Sequence, residues 1–130
     1  PDGEVIHVSD LSGQVFPLHA VPSGLAALSC WSDDEIDGYL SLARDGQPFE
    51  SQPVLDAVAA ARVSGIVESR GEHIADVTAF AAPLRDASGV IGGIYVQGPS
   101  FRFPAADETD RIRALLGDLA GQANERLVHR

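Results

Sequence analysis

The stretch F80-AAPLRDASGVIGGIYVQGPSFR-F103 decides how the chain is read. Two runs rich in small and β-branched residues flank Asp86-Ala87-Ser88-Gly89, and Gly98-Pro99 closes the second. A three-residue hairpin loop is commonly a type I turn followed by a glycine in the left-handed region. Gly89 in that role makes Asp86 face Val90. The ladder then pairs Leu84 with Gly92, Ala82 with Ile94, Ala81 with Tyr95, Phe80 with Val96 and Ala79 with Gln97. Directly paired residues share a face of the sheet. One face therefore carries Phe80, Ala82, Leu84, Ile94 and Val96 and reads as core; the other carries Ala79, Ala81, Pro83, Gly93, Tyr95 and Gln97. Tyr95 and Gln97 are long side chains with polar tips on a floor of small residues. They belong either at a solvent edge or in a cavity, where apolar walls and a few polar groups hold ligands.

Outward from the hairpin, strands are expected over residues 77–85 and 90–97, with a short extended piece at 66–68 and a polar connection between. Residues 5–8 form a β-branched run, and 15–19 a second possible strand interrupted by Pro17. Pro22 and Ser23 open a short apolar helix. Ser32 and Glu35 make a capping box, with Ile36, Tyr39, Leu40 and Ala43 on one face of the helix that follows. Pro53 suits a first helical position, Gly65 a stop, and Val54, Val58 and Ala61 a narrow apolar stripe. A long helix is predicted from residue 106 to about 128, burying Ile112, Leu115, Leu116, Leu119, Ala123 and Leu127. Mixed strands and helices around an antiparallel hairpin give an α+β class.

Composition narrows the function. A chain of 130 residues with 45% hydrophobic content suits one domain with a substantial core. The net charge is −10 and all nine basic residues are arginine, which argues against this segment gripping nucleic acid. No apolar run approaches the roughly 18 residues of a membrane span. The single cysteine, Cys30, cannot form an internal disulfide and is expected to act as a small buried hydrophobe, which suits a reducing cytoplasmic setting. His7, His19, His73 and His129 lack metal-ligand spacing, and no nucleophile elbow, phosphate loop or dinucleotide fingerprint occurs. Neither a catalytic residue, a metal nor a cofactor is assigned. Gly71-Glu72-His73 is expected to be a solvated connection.

The segments PLHAVPSGLAAL (17–28) and GEHIADVTAFAAPLRDASGVIGGIYVQGP (71–99), followed by a long helix, resemble the effector-binding domain of IclR-family bacterial transcription regulators. The counterparts of the family's motifs are residues 17–20, 65–72 and 81–99. The resemblance implies a GAF-like antiparallel sheet flanked by helices, spanning residues 1–130 as an effector domain. It also implies a winged helix-turn-helix DNA-binding domain and early sheet elements on the N-terminal side, outside this sequence, and assembly into homodimers or tetramers. Effector positions carried over from the family are Phe16, Pro22, Ser23, Ser69, Val77, Ala79, Tyr95 and Gln97. Departures include Pro22-Ser23 in place of Gly-Ala and Asp76 where the family usually has glycine. Ser23 opens a helix and either caps it or, with Tyr95 and Gln97, donates to a carboxylate effector. The expected function is to bind a small carboxylate or aromatic metabolite that modulates DNA binding. The alternative is a stand-alone GAF-type sensor or a ligand-free scaffold.

Overall fold

The computed structural model describes residues 17–128. Phe16 and the β-branched run at 5–8 lie outside the described residues. A short 3-10 helix, Leu18–Ala20, leads into α1 (Pro22–Leu28), α2 (Asp33–Gly46) and α3 (Ser51–Ser64). An antiparallel sheet in the order β1-β2-β3 follows, from Val67–Arg70, Val77–Asp86 and Gly89–Pro99. The chain closes with α4, Thr109–Val128. The segment 18–20 is thus helical where an irregular strand was expected, because Ala20 N–H bonds back to Pro17 O at 3.0 Å.

The hairpin register holds from Leu84–Gly92 to Ala79–Gln97, but it is reached differently. Asp86 pairs with Gly89 rather than Val90, leaving a two-residue turn, and a bulge between Leu84 and Arg85 restores the ladder. Two side-chain contacts explain this. The Asp86 carboxylate accepts from the Ser88 backbone N–H at 2.8 Å and the Ser88 hydroxyl at 2.6 Å, tightening the turn. The bulge frees the Arg85 N–H, which donates to Asn124 Oδ1 of α4 at 2.7 Å, so no ladder partner is needed.

Helix starts follow local chemistry. The Ser32–Glu35 capping box is formed in both directions, satisfying orphan N–H groups of α2. Helix α3 begins at Ser51, so Pro53 is its third residue rather than its first. First-turn N–H groups have no intrahelical acceptor, which is why proline is tolerated there. Gly65 ends α3 with φ of 81°, a left-handed cap. Helix α4 starts at Thr109, three residues later than expected, because Asp107 has φ of 66° and breaks the helical path.

The sheet is sandwiched. On one face Phe80, Ala82 and Ile66 pack against Leu116 and Ala120 of α4. On the other, Ala81 and Val67 pack against Ala26 of α1 and Ala61 of α3. A third cluster, Leu28, Ile36, Leu40, Val54 and Val58, binds the three N-terminal helices together. Four expected burials fail. Leu115 and Leu119 are 55% and 46% exposed, because among the described residues α4 meets the sheet through its Ile112–Leu116–Ala120 line. Val96 is 38% exposed on β3, which pairs only with β2 among the described residues. Cys30 is half-buried.

Arg62 on α3 ties the turn after α1 to α2. Its guanidinium donates to Trp31 O at 2.7 Å, Ser29 O at 3.3 Å and Asp33 Oδ1 at 2.6 Å. The two carbonyls have left the α1 ladder and take these bonds instead of water. Arg62→Ala is expected to cost about 1–2 kcal/mol, mainly through the carbonyl bonds rather than the exposed Asp33 pair. Urea denaturation checks this, and Asp33→Ala should cost well under half as much.

Candidate ligand site

The face of the sheet under α1 is built from odd-numbered positions. β1 and β2 pair Ser69 with Ala79 and Val67 with Ala81, and β3 continues these rows with Gln97 and Tyr95. Ser69, Ala79 and Gln97 therefore form one row across three strands, and Val77 lies on the same face opposite Pro99. Ala79 is buried at 2% exposure.

Helix α1 rests directly on this face. Ser23 approaches Gly93 so closely that a Cβ on Gly93 would lie 2.7 Å from Ser23 O and 3.0 Å from Ser23 Cβ. Only a glycine lets α1 sit at that depth. The start of α1 then closes a cavity of about 140 Å³ lined by Val21, Pro22, Ser23, His73, Tyr95 and Gln97. The cavity thus joins four of the eight positions carried from the sequence: Pro22, Ser23, Tyr95 and Gln97. Ser69 lies in a separate, larger cleft of about 530 Å³ between α1, α3 and β1, which shares Pro22 and His73 with the cavity. Val77 and Ala79 line neither cavity.

The cavity offers a Ser23 hydroxyl, a Tyr95 phenol, a Gln97 amide and a His73 imidazole. Such a set donates and accepts hydrogen bonds. Tyr95 is 45% exposed, so one wall opens to solvent. The larger cleft has apolar sides from Leu25, Pro53, Val54, Ala57 and Val67, with His19, Glu72 and His73 among its polar residues.

His19 stacks on Phe49 at 3.9 Å between ring centroids, and its Nδ1 lies 2.9 Å from the Tyr39 hydroxyl. Burial lowers its pKa, favouring the neutral ring. This network fixes the segment before α1 to α2 and to the loop ahead of α3. Burial works to raise the Glu68 pKa, but hydrogen bonds from Arg113 and Arg70 outweigh it and hold the carboxyl below its usual range.

His73 escapes a reading of the sequence alone, which leaves it on a solvated connection. Gly71 has φ of 83° and Asp76 has φ of 63°, and these two left-handed residues fold residues 71–76 back so that His73 lines both cavities. Aspartate tolerates that region better than most residues, which accounts for Asp76 standing where a glycine was expected. Among the described residues no cluster of His, Cys, Asp and Glu could hold a metal ion. No helix among them is long and apolar enough to cross a membrane.

Cavities between a sheet face and a short helix are the kind of place where α+β domains take small molecules. The chain belongs to the bacterial transcriptional regulator IclR C-terminal family, whose model matches residues 2–124. Solved structures agree in fold. An IclR-type transcriptional regulator of Silicibacter sp. superposes with a TM-score of 0.73 at 23% identity, covering 88% of this chain and 46% of that one. An IclR-family regulator of Brucella abortus gives a TM-score of 0.72 at 27% identity, over 86% and 44%. The inducer-binding domain of the Acinetobacter transcription factor PobR, a double mutant in complex with 3-hydroxybenzoic acid, gives 0.67 at 22% identity, over 84% and 66%. The chain thus spans about half the length of the first two regulators. No curated protein sequence matches it significantly. The family is one of transcriptional regulators, which is not an enzyme class.

Proposed function

We propose that this domain is the effector-binding module of a longer transcription regulator, taking a small carboxylate or aromatic metabolite between α1 and β3. The supporting observation is the convergence of Ser23, Tyr95, Gln97 and His73 on one cavity at the start of α1. The effector acts by binding one arrangement of the domain more tightly than another. Only such a difference in affinity can shift an equilibrium between states. In the regulator those states place DNA-reading domains, carried by another part of the polypeptide, at different spacings within a homodimer or tetramer. Ser69 is proposed as a further contact from the adjoining cleft, with Val77 and Ala79 behind it on the same sheet face.

The double variant Tyr95→Phe, Gln97→Leu removes two polar groups from a partly exposed strand and leaves the backbone ladder intact. Affinity for an effector found by thermal-shift screening of carboxylates and aromatics should fall about 10- to 100-fold in calorimetry, with unchanged unfolding. Unchanged affinity overturns the site. A panel in which nothing binds favours a ligand-free scaffold.

A further inference from the structure

The two cavities flanking Pro22 differ in size in a way that bears on the ligand. Small-molecule sites usually span about 300–1,000 Å³. The Ser23–Tyr95–Gln97 cavity, at about 140 Å³, falls below that range, whereas the adjoining cleft of about 530 Å³ lies within it. Pro22 and His73 form part of the wall of both, so the two spaces abut.

Their linings also differ. Neither includes an arginine or lysine among the described residues, and the cleft adds two carboxylates, Glu68 and Glu72. Glu68 is engaged by Arg113 and Arg70. Glu72 is engaged through one oxygen only in the described contacts, accepting the Arg70 backbone N–H at 2.6 Å. A carboxylate entering this cleft meets like charge at Glu72, and among the described residues the only basic side chains on its walls are the imidazoles of His19 and His73. A donor or cation meets the second oxygen of Glu72.

We propose that the cleft between α1, α3 and β1 is a second subsite of the effector site, so that the ligand has two parts. A hydroxyl-bearing head occupies the Ser23–Tyr95–Gln97 cavity. An aromatic or alicyclic body passes Pro22 toward Leu25 and Ala57 and ends in an amine or other strong donor at Glu72. This rests on the effector-site reading above and narrows its ligand class from carboxylates to donor-terminated aromatics.

Three probes separate the parts. Tyramine carries phenol, ring and ammonium; phloretate replaces the ammonium by a carboxylate on a chain of similar length; phenol supplies the head and ring alone. Binding to the whole chain is followed by NMR chemical-shift titration. Tyramine is expected to bind at least about fivefold more tightly than phloretate. Glu72→Gln keeps an oxygen for the Arg70 N–H and removes only charge. It should weaken tyramine about fivefold or more and leave phenol unchanged. Ala57→Phe, which fills the cleft from α3, should weaken tyramine more than phenol, whose ring alone reaches the cleft.

Phloretate binding as tightly as tyramine, or tyramine binding indifferent to both substitutions, overturns the second subsite. If phenol or phloretate binding is then lost in Gln97→Leu, the effector site itself stands. Failure of all three probes to bind also overturns the subsite, and the broader metabolite screen then decides the effector reading independently.

Discussion

Replacing Gly24 by alanine is expected to lower the stability of the domain by about 3 kcal/mol, the upper range of overpacking effects. A Cβ at this position of α1 would be driven into the Leu18 carbonyl oxygen and would lie 2.8 Å from both the Leu18 carbonyl carbon and Cα. All three atoms are backbone, so no rotamer change relieves the contact. Either the 3-10 helix Leu18–Ala20 moves away or α1 lifts from the sheet. Both routes disturb the His19–Tyr39–Phe49 network that holds the N-terminal helices together. Gly38 supplies the control. It lies in α2 with nothing within 4 Å of an added Cβ, so Gly38→Ala should stabilise by about 0.5–1 kcal/mol through helix propensity. Urea melts of the two variants should therefore move in opposite directions. If Gly24→Ala unfolds with the wild type, the described seating of α1 against Leu18 is wrong.

The parts of this fold that can be read from sequence are those set by local rules. The Ser32–Glu35 capping box, the Gly65 stop and the alternation along the hairpin each depend on residues within a few positions of one another. The inner register was legible even though the turn was not, because Leu84–Gly92 and the pairs beyond it follow from two compensating irregularities. The partner at the bulge, the side chain of Asn124 on α4, is 39 residues from the Arg85 N–H it accepts. The misassigned faces have the same origin. Periodicity groups Leu115 and Leu119 with Leu116, but how wide a helical stripe is buried depends on how broad a sheet lies opposite.

The site divides in the same manner. Tyr95, Gln97 and Ala79 were placed on one face by strand alternation, and Ser69 joins them because β1 pairs in register with β2. His73 and the larger cleft had no such signal. The former depends on two left-handed residues in a short connection, one of them a non-glycine. The latter exists only where α1, α3 and β1 converge, so its walls come from residues 19 to 73 with no common spacing.

Adjacent glycines on β3 allow the seating of α1 to be tested without touching a ligand group. Gly92 and Gly93 point to opposite faces of the sheet. A Cβ at Gly92 meets nothing within 4 Å, whereas one at Gly93 meets Ser23 at 2.7–3.1 Å through O, Cβ and Cα. Valine suits a strand better than glycine at either position on intrinsic grounds. Gly92→Val should thus be neutral or stabilising by up to about 1 kcal/mol. Gly93→Val should cost about 3 kcal/mol, because α1 must rise by more than a side-chain adjustment allows. The functional effect follows from the same movement. Lifting Ser23 separates it from Tyr95 and Gln97, so the cavity loses its geometry while every one of its polar groups remains. Effector affinity in Gly93→Val should fall at least about tenfold at temperatures where the protein is still folded, with Gly92→Val unchanged. Equal stability and equal affinity for the two variants would mean that α1 does not bear on β3 through Ser23, and the cavity between them would then have to be redrawn.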